Sequence, residues 1–383
     1  MLFETINNIE LKLVRYFYRM SLQEVANELN ISRQYLHKFE TMQSIPNDEM
    51  IAKLAKIYNV RPDFFTLNKA TVQEDQVHFR KLQRTKEMDK QALISTAEYI
   101  DRLLDIIQKK LAGLVALPTI NLPDLEAKDK NFDIEKPLDI ERIAEYCREY
   151  WDLGHGPISN MTRLCENMGV IVTLYGMHDG SMDIDALSVT LKRPIIIRST
   201  SKNNPFRLRF DLAHELGHLI FHDGITTGCR KTENQANHFA GAFLLPRVIM
   251  IKYFPSIFNG KSFNWANMSK FKMHFKVSKA AILYRAKQLS LLNDSQYRRG
   301  VIYLKNQGES RQEIEDKDIE VEQPELLENC LTYLVEHENL YIEDIAKELK
   351  VTSQFLEDLV SINFHSSLYS RTHRIQELGL KIS

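Results

Sequence analysis

Cysteine is scarce in this chain: four in 383 residues (Cys147, Cys165, Cys229 and Cys330), with no CxxC pair among them. That spacing excludes a dense disulfide framework, argues against a cysteine-ligated metal and suits a reducing compartment. Long apolar runs are missing as well. No stretch reaches about 18 apolar residues, and the opening Met1-Leu2-Phe3-Glu4 lacks the basic start and apolar core of a secretory signal. Nor is there an excess of either charge, since 50 Lys and Arg face 51 Asp and Glu for a net charge of −1. Bulk attraction to a polyanion or a lipid surface is therefore not implied. The expectation is a soluble, cytoplasmic protein with no membrane partner. At this length, two or three domains can each bury a core of their own.

What the chain does have is His214-Glu215-Leu216-Gly217-His218, followed after a gap by Glu233-Asn234-Gln235-Ala236-Asn237. Residues four apart share a helix face, so His214 and His218 can present two imidazole nitrogens to one ion. Residues 210–222 carry apolar residues at helical spacing with no proline. A second helical segment, 233–245, stops before Pro246. Glu233 would supply a third ligand and leave one tetrahedral position open, as catalytic Zn²⁺ needs. Glu215, beside the first ligand, is suited to take a proton from an attacking water. Asn237, one turn beyond Glu233, can hydrogen-bond an imidazole N–H from behind. The bland alternative is a pair of histidines on an ordinary amphipathic helix.

His222 continues the stripe and reads as a buried partner behind the ligands or as a donor toward substrate. His238 points to another face from Glu233 and reads as surface or packing. For the developing oxyanion, Tyr175, His178, Arg207 and His222 all remain open. Six basic residues with no acidic one lie between Lys192 and Arg209, a run read as a solvated loop rather than a docking patch.

The residues of this block, RFDLAHELGHLIFH at 209–222 and ENQANHFAGAFLLP at 233–246, resemble the ImmA/IrrE metallopeptidase family. That family's pattern runs RFTLAHELGHLLLH and then ExxANxFAxxLLMP. The likeness reaches upstream to Tyr150-Trp151-Asp152-Leu153-Gly154, Asp179-Gly180 and the apolar run 194–197. It implies His214, His218 and Glu233 as zinc ligands and Glu215 as the base, with a small sheet shielding the two metal helices. Asp211 departs from the pattern, standing where the family usually has threonine.

Nearer the start, residues 21–29 read as a serine-capped helix, Asn30-Ile31-Ser32 as a tight turn and 33–39 as a second helix. Val25, Leu29, Ile31, Leu36 and Phe39 fit one core, and a third helix at 47–58 packs behind. This segment resembles the XRE-type helix-turn-helix domain, including Glu40 and the closing PDFF. The resemblance implies that Arg33, Gln34, Tyr35, His37 and Lys38 face double-stranded DNA. Leu22 stands where that family often has glutamine, and the first seventy residues are near neutral rather than basic.

The fold class expected is mainly α with a small β-sheet (α+β). It comprises an N-terminal helix-turn-helix bundle (1–67), a helical connector and linker (68–136) whose apolar stripe is a candidate homodimer seam, a central zincin-like domain (137–292) and a helical C-terminal region (293–383). Strands are expected near 170–175, 186–190 and 194–198. Two further helix-turn-helix-like pairs appear at 268–292 and 329–360, and 365–383 reads as a tail. Two functions fit. One is a DNA-binding transcriptional regulator with a zinc endopeptidase that cuts a helix-turn-helix repressor. The other is a transcription factor whose protease-like domain senses a ligand or partner and cuts nothing.

Overall fold

The structure is a computed structural model, which describes residues 6–67, 77–79, 86–129, 132–175, 186–200, 204–222, 225, 227–361 and 368. His178, the Asp179-Gly180 pair, Lys202, Gly224 and the tail at 365–383 apart from residue 368 lie outside them. The chain divides into two compact units, each assembled from separated stretches. The first contains Met1–Thr119, Ile171–Ser201 and Pro324–Ser383; the second contains Ile120–Val170 and Lys202–Gln323.

The first unit opens with α1 (Asn8–Phe17), α2 (Leu22–Leu29), α3 (Arg33–Glu40) and α4 (Asp48–Ile57), then a 3₁₀ turn at Pro62–Thr66. Each helix starts on a side-chain cap, from Asn7, Ser21, Ser32 and Asn47 in turn, which satisfies a backbone N–H that the helix itself cannot. Asn30 ends α2 in the left-handed region at φ 55°, a conformation asparagine tolerates better than most residues. The Arg15 fork grips the Glu40 carboxylate at 2.6 and 2.9 Å and ties α1 to the end of α3.

Behind this bundle runs α5 (Glu87–Leu111), buried almost all round. The segment read from sequence as a connector is therefore a core helix, and its apolar stripe is spent inside the unit rather than on a second copy. Its buried arginine is paired: Arg102 grips Glu10 of α1 at 2.6 and 2.9 Å and Glu98 at 3.0 Å. The sheet lies in the same unit, with β1 (Val77–Phe79), β2 (Ile171–Tyr175), β3 (Ala186–Thr190) and β4 (Pro194–Ser199) in the order β1-β3-β4-β2. The β2/β4 pair is parallel, with Ile171 opposite Ile195, and the other two pairs are antiparallel. β2 and β4 are apolar and largely buried, as strands covered on both faces must be. The sheet is grouped with the helix-turn-helix and α5 in the first unit.

The second unit is built mainly of helices: α6 (Leu125–Lys128), α7 (Pro137–Tyr150), α8 (Met161–Asn167), α9 (Pro205–Phe221), α10 (Arg230–Leu244), α11 (Arg247–Ile257), α12 (Trp265–Phe275), α13 (Lys279–Gln288) and α14 (Asp294–Asn306). α9 begins on an Asn204 cap with Pro205 in its first turn, and α10 stops two residues before Pro246. Arg209, buried in α9, bonds the carbonyls of Lys276 and Ile158 and pairs with Glu322. Glu322 in turn accepts the first backbone N–H groups of α8.

Three C-terminal helices complete the first unit: α15 (Leu326–Glu338), α16 (Ile342–Leu349) and α17 (Ser353–Val360). They pack on α5, with α15 and α17 also against β2. Among the described residues no single helix is long and apolar enough to cross a membrane.

Candidate metal centre and nucleic-acid interface

α9 and α10 pack closely because Gly217 lets them. A Cβ there would meet Phe239 Cδ1 at 3.0 Å and the Ala236 backbone at 3.4 Å, so a larger residue is accommodated only if the Phe239 ring gives way by a few tenths of an ångström. The approach brings Glu233 of α10 against the histidine face of α9. His214 Nε2 and His218 Nε2 are 3.1 Å apart; Glu233 Oε2 is 3.6 Å from the first and Oε1 is 3.4 Å from the second. A tetrahedron with arms of about 2.0–2.1 Å has edges of about 3.3–3.4 Å, and one donor atom from each of the three residues lies within 4.8 Å of the others, close enough to converge on one ion. Glu233 Oε1 is buried and makes no hydrogen bond within the protein. Two imidazole nitrogens and a carboxylate converging in this way have the donor chemistry of a divalent cation site.

The back of each imidazole is held. His214 Nδ1 lies 3.0 Å from Asn237 Oδ1. His218 Nδ1 lies 2.9 Å from His222 Nδ1, and His222 Nε2 lies 3.0 Å from Gln235 Oε1. Burial pushes the His222 imidazole down to about 4, so it is neutral near pH 7. Hydrogen bonds of this kind fix which nitrogen a ligand imidazole offers. Gln235 was not singled out in the sequence; its other partner is the Ile134 carbonyl, 101 residues away in the chain. Glu215 is fully buried on the same helix as the two histidines, and so is Asp211 one turn before it.

Among the oxyanion candidates, the Tyr175 hydroxyl donates to the Phe17 carbonyl within the first unit. Arg207 lies on α9, half exposed, 4.0 Å from Asp211. His238 packs instead on Glu141, whose carboxyl burial would raise but which Arg285 and His238 together bring down to about 2. The basic run is dispersed: Lys192 pairs with Asp105, Arg193 bonds the Pro118 carbonyl, and Arg198 and Arg209 are buried.

On α3, the five residues expected to face DNA are all exposed, whereas Leu36, Phe39 and Glu40 of the same helix are buried. The outward face therefore carries two permanent cations, an amide, a phenol and an imidazole, a set able to bond phosphates and base edges. Gln23 of α2 bonds Asn27 at 2.8 Å along its own helix.

With this geometry in view, the comparisons fall on the same two regions. Residues 165–287 match a peptidase family described as the IrrE N-terminal-like domain, and residues 18–65 match the helix-turn-helix family. The chain carries an XRE-type helix-turn-helix and an ImmA/IrrE-like domain together. The first suggests DNA-binding regulation and the second a metallopeptidase-like domain. The curated proteins contain no match to the chain.

Proposed function

We propose that the protein is a DNA-binding transcriptional regulator that also acts as a zinc endopeptidase on another regulatory protein, a helix-turn-helix repressor being the expected substrate. The DNA-reading part is assigned to 1–67 and the peptidase part to 137–292. The observation that carries this reading is the convergence of His214, His218 and Glu233 with Glu215 on the same buried helix. Bound by the three ligands, zinc would supply Lewis acidity, polarising a scissile carbonyl and making water a competent nucleophile near neutral pH.

The chain's own residues do the rest. Glu215 accepts the proton of the attacking water on its carboxylate and returns it to the departing amide nitrogen. Asn237 and His222 hold the two imidazoles so that each offers Nε2. The low-dielectric surroundings of these fully buried histidines strengthen every such interaction. A DNA-bound regulator and its repressor substrate would share a compartment, which brings the two together without transport.

Glu215→Gln keeps shape and ligands while removing the base. Co-expression of wild type or variant with neighbouring repressor-like proteins, read by mass spectrometry, should show discrete fragments with wild type. The variant should reduce them by about 10²–10⁴-fold. Equal regulation of the protein's promoters by both forms, with no partner ever cut, would instead make the domain a sensor.

A further inference from the structure

Behind His218 stands a chain of three hydrogen bonds whose direction can be read from its far end. The Ile134 carbonyl can only accept, so the Gln235 amide must turn its Nε2–H toward it, at 3.0 Å. That fixes the amide and leaves Gln235 Oε1 facing His222 Nε2 at 3.0 Å. Oε1 also can only accept, so His222 carries its proton on Nε2. Its Nδ1 is then a lone pair, 2.9 Å from His218 Nδ1. The proton between them belongs to His218, whose Nε2 is left bare toward Glu233 Oε1, 3.4 Å away.

From this we infer that Gln235 is a positioning residue: anchored on the Ile134 carbonyl, it sets the tautomers of His222 and His218 so that His218 offers Nε2 to the metal. The inference rests on the metal-site reading for its purpose but not for its geometry. Gln235 stands two residues from Glu233, on a different face of α10, so it reaches the last turn of α9 and not the ligand atoms themselves. His218, His222 and Gln235 are all buried, which keeps water from offering either imidazole a second partner. α10 thus supports the centre with three residues, Glu233 toward the ion, Asn237 behind His214 and Gln235 behind His222.

The test uses the full chain labelled with ¹⁵N-histidine, with imidazole tautomers read from long-range proton–nitrogen spectra and His222 assigned through His222→Phe. In the metal-free wild type, His222 should be the Nε2–H tautomer. Gln235→Met keeps the length and removes the acceptor. It should release that preference and weaken zinc binding about 10–100-fold in competition with a chromophoric chelator. Gln235→Glu keeps an acceptor toward His222 but loses the N–H donated to the Ile134 carbonyl, so it should keep the Nε2–H tautomer of His222 while that anchor is gone. An Nδ1–H tautomer of His222 in the wild type overturns the inference, as does unchanged zinc affinity in Gln235→Met. If Gln235→Met does not fold, the wild-type tautomer decides alone. A wild type that binds no zinc yet shows the Nε2–H tautomer ends the metal reading and leaves the hydrogen-bond chain standing.

Discussion

The first unit contains the same supersecondary piece twice. In one copy an eight-residue α2 ends at Asn30 with φ 55°, passes Ile31 and restarts from the Ser32 cap as an eight-residue α3. In the other an eight-residue α16 ends at Lys350 with φ 62°, passes Val351 and restarts from the Thr352 cap as an eight-residue α17. The local grammar is the same: a left-handed residue, a β-branched apolar residue, a hydroxyl cap. The fates of the second helices are opposite. α3 keeps five polar or amphipathic side chains in solvent, while α17 is buried from Phe355 to Val360. Phe355 sits among the rings of Phe17, Tyr18, Phe64 and Tyr99, at centroid distances of 4.8 to 6.2 Å.

The buried copy also explains how the exposed one is held. Its turn lies against the turn after α4: the Val60 and Val351 backbones form an antiparallel bridge, Arg61 N–H donates to the Lys350 carbonyl at 3.0 Å, and Thr352 N–H donates to that of Asn59 at 3.0 Å. A helix-turn-helix is thus a shape before it is a function, and what covers its second helix decides which role it takes. The pair α12 and α13, joined through Lys276 at φ 53° and the Ser278 cap, repeats the shape in the second unit. There too Arg285 of the second helix is spent internally, on Glu141 and the Leu245 carbonyl.

The comparison predicts its largest effect in the buried copy. Phe355→Ala removes a fully buried ring from the core and should cost about 3–5 kcal/mol in calorimetric unfolding of the full chain. A loss below about 1 kcal/mol would mean that α17 does not share the aromatic core described here. The exposed copy should behave in the opposite way. Arg33→Ala with Lys38→Ala should leave stability within about 0.5 kcal/mol and weaken binding to the protein's own upstream DNA at least about tenfold. If both side chains meet phosphates, the slope of log affinity against log salt should fall by about 1.8. Ser353→Ala with Gln354→Ala on α17 is the matched control and should change neither slope nor affinity. Equal retardation of DNA by wild type and the Arg33/Lys38 variant would leave α3 without this role.

How much of this was legible in the sequence follows from where the information lies. Caps and turns are local, so Ser21, Asn30, Ser32 and Asn47 announce their helices, and the three longer strands stand out by their apolar runs. The convergence of His214, His218 and Glu233 was legible because HExxH obeys helix periodicity and Glu233 lies in the first turn of the next helix. α5 was read as a connector because the partners of its charged residues are remote, Glu10 being 92 residues from Arg102. β1 is only three residues long and carries no period of its own. Gln235 escaped for a similar reason: a glutamine between two recognisable residues has no signal until the Ile134 carbonyl is set opposite it. The basic run of 192–209 misled in the other direction, since counting charges in a row cannot reveal that Arg198 and Arg209 are buried.

The smallest predicted effect tests the turns themselves, where the two copies differ in one respect. Asn30 and Lys350 occupy the same left-handed position, and glycine would relieve the Cβ strain in both. Glycine also loosens the unfolded chain, so the net gain for Asn30→Gly should be only about 0.5 kcal/mol or less. At Lys350 the side chain does something Asn30 has no counterpart for: its Nζ donates to the Asp63 carbonyl at 3.2 Å and to Thr66 Oγ1 at 3.3 Å. Losing those bonds costs about 0.5–1.5 kcal/mol and offsets the relieved strain. Lys350→Gly should therefore be neutral or slightly destabilising in the same calorimetric measurement. A gain of more than about 1 kcal/mol from Lys350→Gly would show that strain in the turn outweighs the tether, and that the second copy is held by its buried helix alone.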